Sequence, residues 1–349
     1  MATTRIIVDT GRASTLNSGL GQVVFCFAEA LSESPPTDMD FTFLVHPKME
    51  PIFKSAFNFD IAVSSPMRRL APGLFSTGDI WHILNPDSRS VPPSHAGIIL
   101  TVHDLRVLTV KHGNRARSYR RRLQQLIDSS VGITAISRFT RADTQGHFNI
   151  PPVPFRVISN GISAPAISDP EPMTGIQSPY LLGLGLFEEK KRFHLLIEMM
   201  EHLPEFNLCL AGFDDNVYGQ RCRQLASDSG FSQRIHFAGP VDENLKWQLY
   251  ANSEALVFPS NLEGFGLPVL EAMAMGKPVF ISQDGALPET GGDHANYFAS
   301  LKPADMAGQI RASMNVNQQI LASTREEYAR SFTWQRAVEQ YLDFYRSVL

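Results

Sequence analysis

Short, almost unbroken apolar runs recur along this chain, and stretches of helical length separate many of them. In the first half they are RIIVDT (5–10), FTFLVHP (41–47), DIAV (60–63), IWHIL (80–84), GIILTVHD (97–104), VGITAIS (131–137) and FRVISNG (155–161). In the second they are YLLGLG (180–185), NLCLAGF (207–213), RIHFAG (234–239), ALVFPS (255–260) and PVFIS (278–282). A run that is apolar at every position, rather than at every second one, belongs to a strand buried on both faces, the situation of parallel strands between helical layers. Residues 190–202 and 242–252 fit the crossover helices such strands require. The pattern is written twice, and 349 residues are too many for one core. The expected fold class is therefore α/β, with two doubly wound parallel-sheet domains.

The break between the two sets falls in SAPAISDPEPMTGIQSP (163–179), rich in Pro and Ser and without apolar periodicity. It divides the chain into an expected N-terminal domain, 1–165, and a C-terminal domain, 166–331. Beyond 302 no strand pattern is present. In FTWQRAVEQYLDFYRSVL (332–349), Trp334, Val338, Tyr341, Leu342 and Tyr345 share one helical face that must pack on something.

Composition narrows the class. With 43% hydrophobic and 19% charged residues the chain reads as a soluble globular protein, and no segment reaches the roughly 18 apolar residues of a membrane helix. MATTRIIVDT has no long apolar core, so no secretory leader is expected. Cys26, Cys209 and Cys222 fit no metal spacing and read as reduced thiols of a cytoplasmic protein. The net charge of -4 conceals an asymmetry: residues 1–165 carry 17 Lys/Arg against 12 Asp/Glu, and residues 166–349 carry 14 against 23. Halves of opposite sign suggest that one faces an anionic partner.

The most informative stretch is ALVFPSNLEGFGLPVLEAMAMGKPV (255–279). Pro268 suits the first turn of a helix at about 267–275, and Gly276 suits its end. The free N–H groups of that helix would point back into loop 259–266 and favour a phosphate, and Gly264 and Gly266 would let backbone approach it. Glu271 would lie one turn inside, within reach of a hydroxyl beside the phosphate, and Glu263 on the loop would face the ligand's other end. Gly19 and Gly21 follow the first strand at a strand-to-helix turn, a place for a ligand or simply a tight turn. EEKKRF (188–193) reads equally as a solvated charge cluster or as an anion site at a helix start. KHGNRARSYRRR (111–122) carries six Lys/Arg and no acid. It reads as a solvated helix face or as a landing patch for an anionic lipid or pyrophosphate-linked acceptor, with Arg115, Arg117, Arg120, Arg121 and Arg122 as its core. Nucleic acid ranks below these, because the overall balance is acidic and the block holds one aromatic residue.

Together these pieces resemble retaining glycosyltransferase family 4, with its two-domain GT-B architecture. The resemblance rests on EGFGLPVLE (263–271), the family's Glu-x7-Glu pattern, followed by GKPV. It extends to SGLG (18–21), TVHD (101–104), AISRFT (135–140), VISNGI (157–162), LAGF (210–213) and GALPET (285–290), in family order over nearly the whole chain. It implies two Rossmann-like domains facing across a cleft, with the C-terminal helix 332–349 returning to the N-terminal, acceptor-binding one. By the same resemblance Gly19 and Gly21 would let the first turn approach the donor or acceptor, Gly212 would lie against the donor, and His103 would bond the donor sugar. Lys191, with Lys190 and Arg192 beside it, would hold the diphosphate. Glu263 and the backbone of Phe265, Gly266 and Leu267 would face sugar and phosphate, and Glu271 would bond the ribose. Many members carry Arg five residues before this Lys, where this chain has Leu186. A basic residue directly before it, here Lys190, is the habit of a mannosyltransferase-like subgroup and favours GDP-mannose over a UDP-sugar. The implied activity is retaining, metal-independent sugar transfer from a nucleotide-sugar to a glycan or lipid-linked acceptor in polysaccharide biosynthesis. No cofactor is implied, and the enzyme would be cytoplasmic or peripheral at an anionic membrane. A GT-B sugar-nucleotide 2-epimerase and a non-catalytic nucleotide-sugar-binding protein are the alternatives.

Overall fold

In strand Tyr180–Leu184, Leu181 enters one hydrophobic cluster while Tyr180 and Leu182 enter another on the opposite face. Ala255–Phe258 divides the same way, with Ala255 and Val257 on one side and Leu256 and Phe258 on the other. Alternation therefore persists, but both faces are buried, and this makes the runs apolar throughout. A computed structural model provides the coordinates. It describes residues 3–11, 13–16, 18–65, 78–88, 90, 92–110, 113–167, 170, 175–314 and 318–349.

Two compact units result, Met1–Gly161 with Thr333–Leu349, and Ile162–Phe332. The first holds strands β1 (Thr4–Asp9), β2 (Met39–Val45), β3 (Asp60–Val63), β4 (Ile80–Ile83), β5 (Gly97–Val102), β6 (Ser130–Ala135) and β7 (Phe155–Val157). They form a parallel sheet in the order β3-β2-β1-β4-β5-β6-β7. The second holds β8 (Tyr180–Leu184), β9 (Asn207–Ala211), β10 (Ile235–Gly239), β11 (Ala255–Phe258), β12 (Val279–Ile281) and β13 (Asn296–Tyr297). Its parallel sheet runs β10-β9-β8-β11-β12-β13. Two-residue β13 escaped the sequence reading because half-buried Asn296 and Tyr297 make no apolar run.

Each order reverses once, between β1 and β4 in the first unit and between β8 and β11 in the second. At such a switch point the crossovers leave in opposite directions and open a crevice beyond the carboxyl ends of the strands. Chain segments after β1, β4, β8 and β11 are thus where a ligand would be met.

The terminal helix Trp334–Val348 belongs to the first unit. Its buried face contains all five residues expected there, plus Ala337 and Phe344. Tyr341 packs edge-on to Phe27 of helix Gly19–Glu33 at a ring separation of 5.4 Å. Beneath it, fully buried His82 of β4 bonds the Tyr345 hydroxyl through Nδ1 and the Thr101 hydroxyl through Nε2, both at 2.7 Å. Thr101 continues to Thr134 at 2.7 Å and to Tyr341 at 3.3 Å. Burial holds the His82 imidazole neutral, with its pKa lowered to about 3. Segment 163–179 forms no helix or strand among its described residues; 168, 169 and 171–174 lie outside them. No helix among the described residues is long and apolar enough to cross a membrane.

Candidate functional site

The second unit's switch point is built from the two segments that follow β8 and β11. After β8 the chain forms a single 3-10 turn, Glu189–Lys191, and leaves it through Arg192 in the left-handed region (φ 52). After β11 the loop 259–266 leads into helix Leu267–Ala274, whose Pro lies at its start as expected. Gly266 precedes that helix at φ 108, a conformation that excludes a side chain, and no side chain caps its first turn.

The two segments are fastened together. The Asn261 N–H donates to the Lys190 carbonyl at 2.7 Å, and the Ser260 hydroxyl oxygen lies 3.2 Å from that carbonyl. Arg192 donates to the Pro259 carbonyl at 3.2 Å and pairs with Asp284 at 2.8 Å. Arg192, expected beside a diphosphate, is thus occupied in holding the loop.

This scaffold brings Glu263, Lys190 and Lys191 into one cluster. The Lys191 ammonium donates to Glu263 Oε1 at 2.8 Å, and Lys190 stands 3.6 Å from Oε2. The Ser260 hydroxyl donates to the same carboxylate. Burial opposes the charge on Glu263, but Lys191, Lys190 and the bonds from Lys191 and Ser260 prevail and hold its pKa at about 2. Burial also pulls the Lys191 pKa down, with Glu263 acting against it. Lys191 lies 4.3 Å from the Phe258 ring centre. Two cations share the one carboxylate, and the helix that follows the loop begins without a side-chain cap, two features that each favour an anion. The backbone of Phe265 is fixed by the Thr290 hydroxyl, and Leu267 opens the helix.

Glu271 sits one turn into that helix, 6% exposed. Its Oε1 accepts from Lys246 at 2.7 Å and its Oε2 from the Tyr250 hydroxyl at 2.8 Å. Neither partner was expected. Gly212 lies just past β9 at φ 142, where an added Cβ would stand 1.9 Å from the Gly185 carbonyl oxygen. Only glycine allows the segments after β8 and β9 to pass so closely.

In the first unit, helix Gly19–Glu33 is capped by Ser18, which accepts from the Gly21 N–H at 3.1 Å. A Cβ on Gly21 would overlap the Thr15 carbonyl at 1.8 Å, whereas one on Gly19 would meet nothing within 4 Å. Gly21 therefore serves the turn, and Gly19 borders open space. His103, after β5, donates from Nε2 to the Leu84 carbonyl at 2.7 Å. A carbonyl only accepts, so Nε2 carries the proton and Nδ1 is left an acceptor. Burial lowers its pKa, against the Leu84 bond and Asp104, and favours that neutral form.

The basic block lies on helix Gly113–Asp128, with Lys111 and His112 outside the described residues. Arg115, Arg117, Arg120 and Arg121 are exposed. Arg120 also donates to the His147 carbonyl at 3.1 Å, and Arg117 bonds Asn114. Arg122, half-buried, donates to the carbonyls of Ser88 and Pro86 and so ties down the segment after β4.

Two family models match in succession. The one described as Glycosyltransferase Family 4 covers residues 21–164, and the one described as Glycosyl transferases group 1 covers 174–331. The chain is 29% identical over 273 residues to O-antigen chain mannosyltransferase B of Escherichia coli, covering 71% of this chain and 70% of that protein. It is 25% identical over 206 residues to the serotype-specific mannosyltransferase WbdA of Escherichia coli, covering 54% of this chain but 25% of that longer protein. Among solved structures, Anabaena Alr3699/HepE in complex with UDP and glucose superposes with a TM-score of 0.81 at 16% identity, over 99% of this chain and 100% of that one. These likenesses and the two parallel-sheet units establish the GT-B fold.

Proposed function

We propose that this chain, which belongs to glycosyltransferase family 4 and is a glycosyltransferase, takes mannose from GDP-mannose and transfers it with retention to a glycan or lipid-linked acceptor. The observation that carries the reading is the Glu263–Lys190–Lys191 cluster at the second unit's switch point. A nucleoside diphosphate there would place its phosphates against Lys190, Lys191 and the start of helix Leu267–Ala274, and its ribose against Glu271. The two mannosyltransferase relatives support mannose, and Lys190 beside Lys191 supports the GDP-mannose subgroup.

In the reaction the bond from the sugar's anomeric carbon to the diphosphate breaks, and its electron pair leaves with the diphosphate oxygen. The lysines and the helix N–H groups meet that charge as it develops, in a setting already oriented for it. The acceptor hydroxyl oxygen bonds the anomeric carbon from the face the diphosphate vacates, and its proton passes to the departing phosphate oxygen. His103, in the first unit, keeps Nδ1 as an acceptor for a hydroxyl. The exposed arginines 115, 117 and 121 would hold the enzyme at an anionic membrane carrying the acceptor.

The test incubates the protein with GDP-mannose, GDP-glucose, UDP-glucose and UDP-galactose, with and without lipid-linked acceptor and with and without EDTA. Release of GDP from GDP-mannose, stimulated by acceptor and indifferent to EDTA, is expected, with an α-linked product. Preference for a UDP-sugar would overturn the donor assignment, and a β-linked product would overturn retention.

A further inference from the structure

Glu271 is a buried carboxylate whose two oxygens are held by two side chains of a different helix. Lys246 and Tyr250 lie four residues apart on helix Glu243–Asn252, so one face of that helix carries both. The Tyr250 hydroxyl belongs to a fully buried ring, and Lys246 is 6% exposed. Lys246 has a second carboxylate at hand, Glu243, at 2.8 Å, and the Trp247 indole N–H donates to Glu243 at 2.8 Å. Glu243 is mostly exposed, so the ammonium spans from the unit's rim to its interior. Burial works against that ammonium, yet Glu271 and Glu243 together raise its pKa above the ordinary lysine value.

From this geometry we infer that Lys246 and Tyr250 are positioning residues for donor recognition, fixing Glu271 so that its remaining lone pairs select a ribose diol. The inference rests on the reading that Glu271 meets the ribose. An ionised carboxylate has about four acceptor positions. Lys246 takes one on Oε1 and Tyr250 one on Oε2, so each oxygen keeps a position for a hydroxyl donor. Two adjacent hydroxyls on one sugar ring match two oxygens of one rigid carboxylate. The rigidity comes from the helix face below, because a glutamate with no partners samples several rotamers and loses entropy on binding. Lys246 supplies a further effect. A ribose covering Glu271 would remove what water remains near it, and an unpaired buried carboxylate resists that loss. With an ammonium already in contact at 2.7 Å, that loss of water is offset and the carboxylate's remaining lone pairs still accept from the diol.

A merely structural role for Lys246 would lower stability and leave selectivity for the ribose unchanged, which separates the two. The measurement is calorimetric affinity for GDP or UDP, whichever wild-type protein binds more tightly, and for its 2′-deoxy and 3′-deoxy forms. Variants are Lys246→Met, Lys246→Arg, Tyr250→Phe and Glu271→Gln, each checked for folding by circular dichroism. Wild-type protein should bind the ribonucleotide more tightly than at least one deoxy form. Lys246→Met should weaken ribonucleotide binding about tenfold or more and bring that ratio towards one. Tyr250→Phe should do the same to a smaller extent, and Lys246→Arg should retain most of the selectivity. If Glu271→Gln loses the selectivity while Lys246→Met and Tyr250→Phe keep it, the positioning role is overturned and the ribose assignment stands. If Glu271→Gln itself keeps both affinity and selectivity, or neither nucleotide binds, the ribose assignment falls and this inference with it. Should Lys246→Met fail to fold, Tyr250→Phe decides alone, and unchanged selectivity in it overturns the proposal.

Discussion

Each unit buries a polar cluster, but the two are made of different chemistry. In the first, His82, Thr101, Thr134, Tyr341 and Tyr345 are uncharged and bond one another between the sheet and the terminal helix. In the second, Glu263 pairs with Lys190 and Lys191 beyond the ends of β8 and β11, and Glu271, just inside the helix that follows β11, pairs with Lys246 of helix Glu243–Asn252. A neutral network whose members satisfy one another specifies how a helix docks. A charged cluster costs more to desolvate, and replacing such a cluster by apolar packing would often do as well for stability. The proposed donor site at the switch point gives the charged clusters a role that stability alone does not.

The sharpest way to break this contrast is Lys191→Ala. If the charge serves the departing diphosphate, kcat should fall about 10²–10³-fold, by analogy with loss of one oxyanion donor, with a smaller change in donor KM. A variant that raises KM alone would make Lys191 a binding group only. In the neutral cluster the effect should appear in stability instead. His82→Phe leaves hydroxyls of Thr101 and Tyr345 without their imidazole partner and should cost about 2–3 kcal/mol in denaturant unfolding. Nucleotide affinity at 25 °C should be retained.

Acid should separate the clusters next. Folded His82 stays neutral down to about pH 3, whereas the unfolded chain takes up its proton below about 6.5. Stability is therefore lost as pH falls from 6.5, at up to about 1.4 kcal/mol per unit from this residue. Glu263, with its pKa at about 2, contributes stability that is complete above about 4.5 and is lost only below it. Burial shifts His194 and His236 of the second unit downward too, so the discriminating variant is His82→Gln. Amide exchange in β4 and β5 should depend less on pH between 6.5 and 4.5 in that variant than in wild type. Equal slopes would remove His82 from the account.

The smallest effect belongs to the basic helix. Replacing Arg115, Arg117 and Arg121 with Ser should reduce sedimentation with phosphatidylserine vesicles at low salt, at about 1 kcal/mol per residue. Nucleotide binding should not change. Arg122 is left out because its bonds to Pro86 and Ser88 would confound the result. Wild-type protein that ignores such vesicles would make this helix a solvated face.

The apolar runs made both sheets legible, because parallel strands buried on two faces leave a continuous signature in the sequence. Pro268 and Gly276 announced the helix that carries Glu271, since Pro suits a first helical turn and Gly276, at φ 69, suits the residue just past a helix end. What stayed hidden was the packing partner. Lys246 reads on its own as a solvated helix residue, and only its spacing from Tyr250, one turn away on the same face, hints that it points inward. Arg192 was hidden for a related reason. Its neighbours in sequence are the lysines proposed to meet the diphosphate, but its left-handed backbone turns it towards Pro259 and Asp284. Spacing along the chain reports which residues share a face, and burial on that face depends on what the other elements bring to it.

The central claim is that the charged cluster after β8 and β11 receives the donor's diphosphate while the neutral cluster is purely architectural. Amide hydrogen exchange with and without GDP, repeated with UDP, tests it at the level of segments. The account predicts that nucleotide slows exchange in 185–193 and 259–271 and leaves the strands around His82 unchanged. Exchange that is unaltered in both of those segments, under conditions where calorimetry shows nucleotide bound, would contradict it.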